Sequence, residues 1–416
     1  MFVLLALGSR GDVQPLAALA DALIASGHEA RVVALAEYRP LVSHLAPGAE
    51  FTAIDTSLGE ALTRTPTQEV LSRSFGGQYL LLRRWTSAMT DSLADALVCS
   101  VHSDDMIITG VLGRGAAMAC VAGLGCRMTT VVFTGQLPTT HRESFLAPQF
   151  FSGWAPYDRW GTGLSWRLST SLGSALTTCV RRRLGLPHKG AAALTRMADK
   201  YPIILAASPL IVPPAPDWPA STRQTGYLCA PPQPWQPGTR LAEFLTRNPV
   251  FVGFGSFTRF TCEQDLTAIL DTARATGYPL LTLSPSETEN GHLSDDVLAI
   301  AAAPFEHLFG MVAATIHHGG AGTTHEALRS GRPSVVIPFG VDQPFHASRL
   351  HALGMGPEPG RLRRNRLDVA ELTRLVTELT TGPQASQYAR RARALAAISR
   401  HEDGLTQTVE LLEQQI

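Results

Sequence analysis

Short, wholly apolar runs alternate with longer amphipathic ones along the first forty residues. Residues 2–7 (Phe-Val-Leu-Leu-Ala-Leu) contain no polar position, the pattern of a strand buried on both faces. Gly8-Ser9-Arg10-Gly11-Asp12 is polar and glycine-containing and predicts a turn. Over residues 15–26, Leu16, Leu19, Ala20, Leu23 and Ile24 recur at helical spacing, with Pro15 in the first turn and Gly27 as the stop. Residues 30–35 form a second apolar strand. Strand, helix, strand at this spacing is a βαβ unit, and such units build parallel sheets. Residues 106–109, 129–133 and 203–206 read as further buried strands. Between residues 136 and 185 the periodicity weakens into aromatic and polar stretches that include Trp154, Tyr157, Trp160 and Trp166.

Residues 213–238 carry eight prolines and read as a stiff connector. Beyond them a second series begins: strand 249–254, turn Gly255-Ser256, helix 262–275, and strands 279–283, 314–318 and 334–338. Helices 323–330 and 343–353 follow the last two strands, and the final fifty residues read as two amphipathic helices. The predicted domains are residues 1–212, a linker over 213–238, and residues 239–416, with the C-terminal helices returning to the first domain. Doubly wound sheets bind ligands at the carboxyl ends of their strands, so this organisation predicts a cleft between two such edges.

Composition narrows the function. The chain has 416 residues, 45% of them hydrophobic, enough for two cores. Lys plus Arg and Asp plus Glu number 35 each, which removes the electrostatic case for a nucleic-acid or membrane-surface binder. Cys99, Cys120, Cys126, Cys179, Cys229 and Cys262 form no C-x-x-C pair and no zinc-like spacing, and free thiols fit a reducing cytoplasm. The apolar start is too short for a signal-peptide core, and no run of about 20 apolar residues appears. The expectation is a cytoplasmic protein without a membrane span.

The most specific segment is His317-His318-Gly319-Gly320-Ala321-Gly322-Thr323-Thr324, placed after a predicted strand and opening a helix. Small residues admit a ligand close to the backbone, and a helix amino end offers unbonded N–H groups with partial positive charge, so a phosphate or diphosphate suits it. The His318 imidazole can add a hydrogen bond. The competing reading is a tight turn with two satisfied histidines. Ser256, after Gly253-Phe254-Gly255, could reach the same anion. Asp342 and Gln343 offer groups suited to sugar hydroxyls, although Asp342 also reads as a plain N-cap. Glu326 lies three residues beyond Thr323, the spacing of a capping box. Asp104-Asp105 reads as a solvated turn pair, and no D-x-D metal motif is evident.

Taken together, Gly8-Ser9-Arg10-Gly11-Asp12-Val13-Gln14-Pro15, Gly253-Phe254-Gly255-Ser256, His318-Gly319-Gly320-Ala321-Gly322-Thr323 and Asp342-Gln343-Pro344 resemble, in order, nucleotide-sugar glycosyltransferases of the GT-B fold. The likeness is to the bacterial natural-product branch (glycopeptide and macrolide enzymes) and to sterol glucosyltransferases. It implies an α/β architecture of two Rossmann-like domains facing across a cleft, the first binding acceptor and the second binding donor. It implies that His318, Gly320, Gly322, Thr323 and Ser256 hold the donor diphosphate and that Asp342 and Gln343 bind the donor sugar. Phe305-Glu306 matches the nucleobase and ribose region, in a form other than the commonest one. Asp12 matches a general-base position where other members carry His, with Ser9 and Arg10 lining the same loop near the acceptor. The implied activity is inverting, metal-independent transfer from a UDP- or dTDP-sugar to a hydroxyl of a small lipophilic acceptor, with no cofactor. Alternatives are a catalytically silent nucleotide-sugar-binding partner, a nucleotide-sugar 2-epimerase, and a nicotinamide dehydrogenase. The last lacks G-x-G-x-x-G, and Glu37 falls one or two residues late for a ribose contact.

Overall fold

The apolar runs become strands of two sheets. The computed structural model describes residues 1–55, 75–141, 152–190, 193, 197, 199–254, 263–284, 291–363 and 366–416. They divide into two compact units, Met1–Pro231 with Asp403–Ile416, and Pro232–Glu402.

The first unit runs β1 (Phe2–Leu5), α1 (Arg10–Ala25), β2 (Ala30–Leu35), α2 (Arg39–Leu45), β3 (Glu50–Ile54), α3 (Phe75–Ala88), α4 (Thr90–Ser100) and β4 (Met106–Thr109). It continues with α5 (Arg114–Leu124), β5 (Arg127–Val132), α6 (Ala155–Ser171), α7 (Ser174–Arg183), β6 (Ile203–Leu205) and β7 (Thr222–Gln224). Among the described residues the strands order β3-β2-β1-β4-β5-β6-β7, all parallel, with Leu4 in register with Val32 and Ile108. Side chains alternate across β1. Val3 and Leu5 enter one core with α4, α5 and α7, while Phe2 and Leu4 enter the other with α1.

The second unit contains α8 (Thr239–Leu245), β8 (Val250–Gly253), α9 (Glu263–Thr276), β9 (Leu280–Leu283), β10 (Gly291–Ser294), β11 (Val297–Ile300), α10 (Phe305–Leu308) and β12 (Ala314–His317). Then come α11 (Ala321–Ser330), β13 (Ser334–Val336), α12 (Gln343–Ala352), α13 (Val369–Thr380) and α14 (Ala385–Ser399). Its sheet orders β10-β11-β9-β8-β12-β13, parallel except for β10. In both sheets the strand order reverses direction, between β1 and β4 and between β8 and β12. Those are the switch points where loops diverge and open a crevice.

The last helix, α15 (Gly404–Glu413), belongs to the first unit, while α13 and α14 stay with the second. The final fifty residues therefore hold three helices rather than two. Asp403 breaks the run by accepting from Thr406 N at 3.1 Å and so starting α15. Val409 and Leu412 join the core beside α1, and Thr408 Oγ1 donates to Thr225 Oγ1 at 2.9 Å. Gly404 sits so close to the carbonyls of Gly226 and Tyr227 that a Cβ would lie 2.6 and 2.5 Å from them.

Several elements differ from the sequence reading. Helix α1 begins at Arg10, not Pro15, because Ser9 is its N-cap, and Pro15 lies inside it. The proline-rich stretch is not a connector throughout, since Thr222–Gln224 adds β7 to the first sheet and the division between units falls after Pro231. Asp105 is 4% exposed and accepts from His102 N at 2.7 Å, so only Asp104 of the pair is solvated. Helix α6 mixes the usual pattern: Asp158, Thr162 and Ser165 are buried with Trp166, while Tyr157, Trp160 and Leu164, and the N-cap Trp154, are exposed. On its polar side Asp158 accepts from Ser152 N (2.8 Å) and Gly153 N (3.1 Å) and Thr162 bonds both N–H and C=O of Thr139, while the buried Ser165 hydroxyl has no hydrogen-bond partner among the described residues. Among the described residues no helix is long and apolar enough to cross a membrane.

Leu412 is wholly buried against α1 and its neighbours. Leu412→Ala is expected to cost about 2–5 kcal/mol of stability, read by denaturant unfolding. A loss under about 1 kcal/mol would take α15 out of that core.

Candidate functional site

Two loops lie at the switch points, one in each unit. After β1, Gly8 adopts φ +142° at a place where a Cβ would overlap the Asp12 carboxylate, so the turn needs glycine twice over. Ser9 caps α1. Its hydroxyl accepts from Gly11 N at 3.3 Å, its N–H donates to Asp12 Oδ2 at 2.9 Å, and the Ser9 and Asp12 side chains complete a reciprocal capping box. Asp12 is therefore the third helical residue, half-buried, with its carboxylate folded back over the strand end. Arg10 is exposed and donates to Gln14 Oε1 at 3.0 Å.

After β12 the chain turns through His317, His318, Gly319 and Gly320 into α11. Gly319 has φ +87°, and the space a Cβ would take is filled by Val336 Cγ1 at 2.6 Å. A Cβ on Gly320 would lie 2.5 Å from His318 Nε2, so the imidazole packs directly on this backbone. Gly320 is the N-cap of α11, and no side chain caps the helix. Thr324 is buried and its hydroxyl donates to Gly320 O at 2.9 Å, which leaves Ala321, Gly322 and Thr323 as the partly exposed residues of the first turn.

Four of the chain's 13 histidines gather at this turn. His317 Nδ1 accepts from Gly319 N at 3.1 Å, which places its proton on Nε2, 3.0 Å from Ser334 Oγ. His325 Nδ1 donates to Ala321 O at 2.7 Å and His346 Nδ1 to Gly319 O at 2.6 Å. Burial, with the nearby His346 adding to it, depresses His318 to about 4, and burial depresses His325 to about 3. His317 is also held well below its ordinary value by burial and its histidine neighbours. These three imidazoles are neutral at neutral pH.

The loop after β13 is bound to the same place. Ile337 N donates to His317 O at 2.9 Å, and Gln343 Oε1 accepts from Phe339 N (2.6 Å) and Gly340 N (3.2 Å). Val341, a β-branched residue, is exposed at φ +56°, a strained conformation between Gly340 and Asp342. Asp342 precedes α12 but makes no side-chain cap, so the plain N-cap reading does not hold. Its Oδ2 lies 3.9 Å from His346 Nδ1, and burial raises the carboxyl above its ordinary range against the pull of His346.

Comparison with known proteins fits this geometry. Residues 2–111 match the glycosyltransferase family 28 N-terminal domain, and residues 280–402 match the erythromycin biosynthesis protein CIII-like C-terminal domain. O-mycaminosyltylonolide 6-deoxyallosyltransferase of Streptomyces fradiae is 29% identical over 99% of this chain and 96% of its own length. Sterol 3-beta-glucosyltransferase of Penicillium rubens is 29% identical over 98% of this chain, which spans 30% of that longer protein. The fold matches Streptomyces sp. SF2575 glycosyltransferase SsfS6, complexed with thymidine diphosphate, at TM-score 0.63 and 20% identity over 99% of both chains. It matches Os79 from O. sativa, in complex with UDP, at TM-score 0.68 and 15% identity over the whole of both. The chain has the GT-B fold, and the sequence relatives it matches are glycosyltransferases.

In this GT-B chain, the second unit brings His318, Gly320, Gly322 and Thr323 together with Asp342 and Gln343, while Ser9, Arg10 and Asp12 share the loop of the first unit. Ser256 lies outside the described residues. Gln343 is 3% exposed and its side-chain oxygen is occupied within its own loop, so only its amide N–H groups remain for a sugar. Phe305 is largely a core residue, stacked on Phe309 at 4.5 Å and edge-on to Phe251 at 5.4 Å. Glu306 is exposed beside it. Among the described residues no group of three or more His, Cys, Asp or Glu side chains is arranged to hold a metal ion.

Glu326 does not form a capping box with Thr323, because the helix starts three residues earlier than that box requires. Instead its carboxyl is raised to about 7, first by burial and then by the neighbouring Glu306 charge. His325 and His346 carry no motif of their own in the sequence.

A raised carboxyl stabilises the fold fully below its ordinary value, and that contribution is lost as pH climbs through about 7. Glu326→Gln is thus expected to gain stability relative to wild type between pH 5 and pH 8, by on the order of 1 kcal/mol at this half-buried position. Urea midpoints of both proteins at the two pH values check it, and a constant difference would count against the assignment.

Proposed function

We propose that the protein is an inverting, metal-independent glycosyltransferase that moves a sugar from a UDP- or dTDP-sugar to a hydroxyl of a small lipophilic acceptor. The observation that carries this is the turn from His317 to Thr323, where a left-handed glycine leads into a helix whose first turn no side chain caps, at a switch point of the sheet. Such a helix end supplies N–H groups and partial positive charge to a diphosphate. The thymidine diphosphate and UDP bound in structural relatives support that guest. The sterol and O-mycaminosyltylonolide in the names of relatives support a lipophilic acceptor.

In this reading the acceptor hydroxyl gives its proton to the Asp12 carboxylate as its oxygen forms a bond to the anomeric carbon. The bond from that carbon to the diphosphate oxygen breaks, and its electron pair leaves with the diphosphate. A single displacement of this kind inverts the anomeric centre. The growing charge on the leaving group meets the amino end of α11 and the His318 ring, donors fixed in place before reaction. Asp342 and the Gln343 amide orient the sugar.

Calorimetric titration with UDP and with TDP in EDTA tests the donor site: one of them binds, and binding of neither removes this reading. Asp12→Asn keeps an oxygen for the Ser9 cap but cannot accept the proton. It is expected to lower turnover about 100-fold or more while nucleotide affinity stays within about twofold. Equal loss of both would leave Asp12 with its capping role alone, and wild-type binding without turnover on any acceptor would make the chain a binding partner.

A further inference from the structure

Gly319 is held from two sides by buried imidazoles. Its N–H donates to His317 Nδ1 at 3.1 Å, and its C=O accepts from His346 Nδ1 at 2.6 Å. Both rings are wholly buried. One comes from the end of β12 and the other from α12, so the clamp spans two elements. A peptide unit is planar and trans, so its C=O and the following N–H point in opposite directions. Drawing the Gly319 carbonyl towards His346 therefore turns the Gly320 N–H away from it. His317 fixes the preceding peptide in the same manner by taking the Gly319 N–H inward. The left-handed φ of Gly319 makes these two orientations compatible, and Val336 and the Gln343 carbonyl fill the space behind it.

We propose that His346, acting through the Gly319 carbonyl, is a positioning residue that aims the Gly320 N–H at the diphosphate of the donor, with His317 holding the other side of the same glycine. This rests on reading the His317–Thr323 turn as the diphosphate site. His346 touches neither nucleotide nor sugar in this role. It sets the direction of a backbone donor that does, and its Nδ1 proton is committed to the Gly319 carbonyl rather than to Asp342 Oδ2, which lies 3.9 Å away. Removing the Nδ1 donor leaves the Gly319 carbonyl buried without that bond and lets the peptide rotate.

The test uses the full chain and compares affinity for the nucleoside diphosphate with affinity for the bare nucleoside, uridine with UDP or thymidine with TDP. His346→Phe keeps a ring but loses the donor, and it is expected to weaken diphosphate binding about tenfold or more, leaving nucleoside binding within about twofold. His346→Asn places an amide N–H where Nδ1 stood and is expected to restore the diphosphate affinity to within about threefold of wild type. A diphosphate-to-nucleoside ratio unchanged in His346→Phe overturns the positioning role while leaving the donor-site reading intact. If His346→Phe does not fold, His346→Gln replaces it, since its longer side chain carries the N–H past the Nδ1 position. Equal ratios in the Asn and Gln variants then overturn the proposal. Wild-type protein that binds neither UDP nor TDP overturns both the donor-site reading and this role.

Discussion

A parallel sheet buried on both faces confines polar chemistry to the ends of its strands. Phe2 and Leu4 fill one core of the first unit, Val3 and Leu5 the other, and none is more than 3% exposed. A polar side chain in such a strand must find a partner inside the protein. Strand β12 shows what that requires. Thr315 Oγ1 donates to Ser334 Oγ at 2.8 Å, and His317 occupies the same hydroxyl through Nε2. Elsewhere the chemistry moves to the carboxyl edge, and the reversal of strand order selects which loops there have open space. The two glycine turns, after β1 and after β12, each leave a strand beside such a reversal.

Backbone direction at these turns is set by what surrounds it, not by the turn alone. Gly8 and Gly319 both have positive φ, and at both a side chain would collide with a residue that matters to the loop: Asp12 in one, Val336 in the other. The second turn adds buried histidines. An isolated charged imidazole there would lack solvent, and depression of His317, His318 and His325 keeps all three neutral. A neutral imidazole has one donor and one acceptor. The ring can therefore be read as a directional device: Nδ1 of His317 accepts an N–H, and Nδ1 of His325 donates to a carbonyl.

Much of this was legible in the chain. Buried strands write themselves as uninterrupted apolar runs, and glycine clusters after them mark turns, so the central strands of both sheets and the His317–Thr323 segment could be read directly, whereas β3, β7, β10 and β11 could not. The misreadings have physical causes. Helix α1 begins five residues before Pro15, because a capping box made by Ser9 and Asp12 determines the start, and the proline lies inside the helix rather than marking its first turn. Strand β3 is only half-buried along Phe51–Ala53, so its apolar signal is diluted. Strand β7 reads Thr-Arg-Gln and sits in the sheet through backbone hydrogen bonds at an edge, where apolar residues are not demanded. Helix α6 defeats periodicity, since it buries Asp158, Thr162 and Ser165 alongside Trp166 while Tyr157, Trp160 and Leu164 stay exposed. The Thr323–Glu326 spacing fits a capping box, but spacing alone cannot reveal that Gly320 already begins the helix.

In the proposed mechanism Asp12 joins its structural role, the observed capping box, to a chemical one on the same side chain. The capping box fixes Oδ2 against Ser9 N–H, and Gly8 leaves the room into which the carboxylate folds. A capping role is sometimes offered as a reason to discount a catalytic one. Here the two are compatible, because a general base must be held in direction before it is useful, and a hydrogen bond to one oxygen removes the rotational freedom that would scatter the carboxylate. The cost of misorientation is entropic and falls on the rate. The cost of a lost cap falls on helix stability, at about 0.5–2 kcal/mol. Those two quantities respond differently to an amide, which keeps the cap and removes the basicity, so one carboxylate can serve both roles and still reveal each by itself.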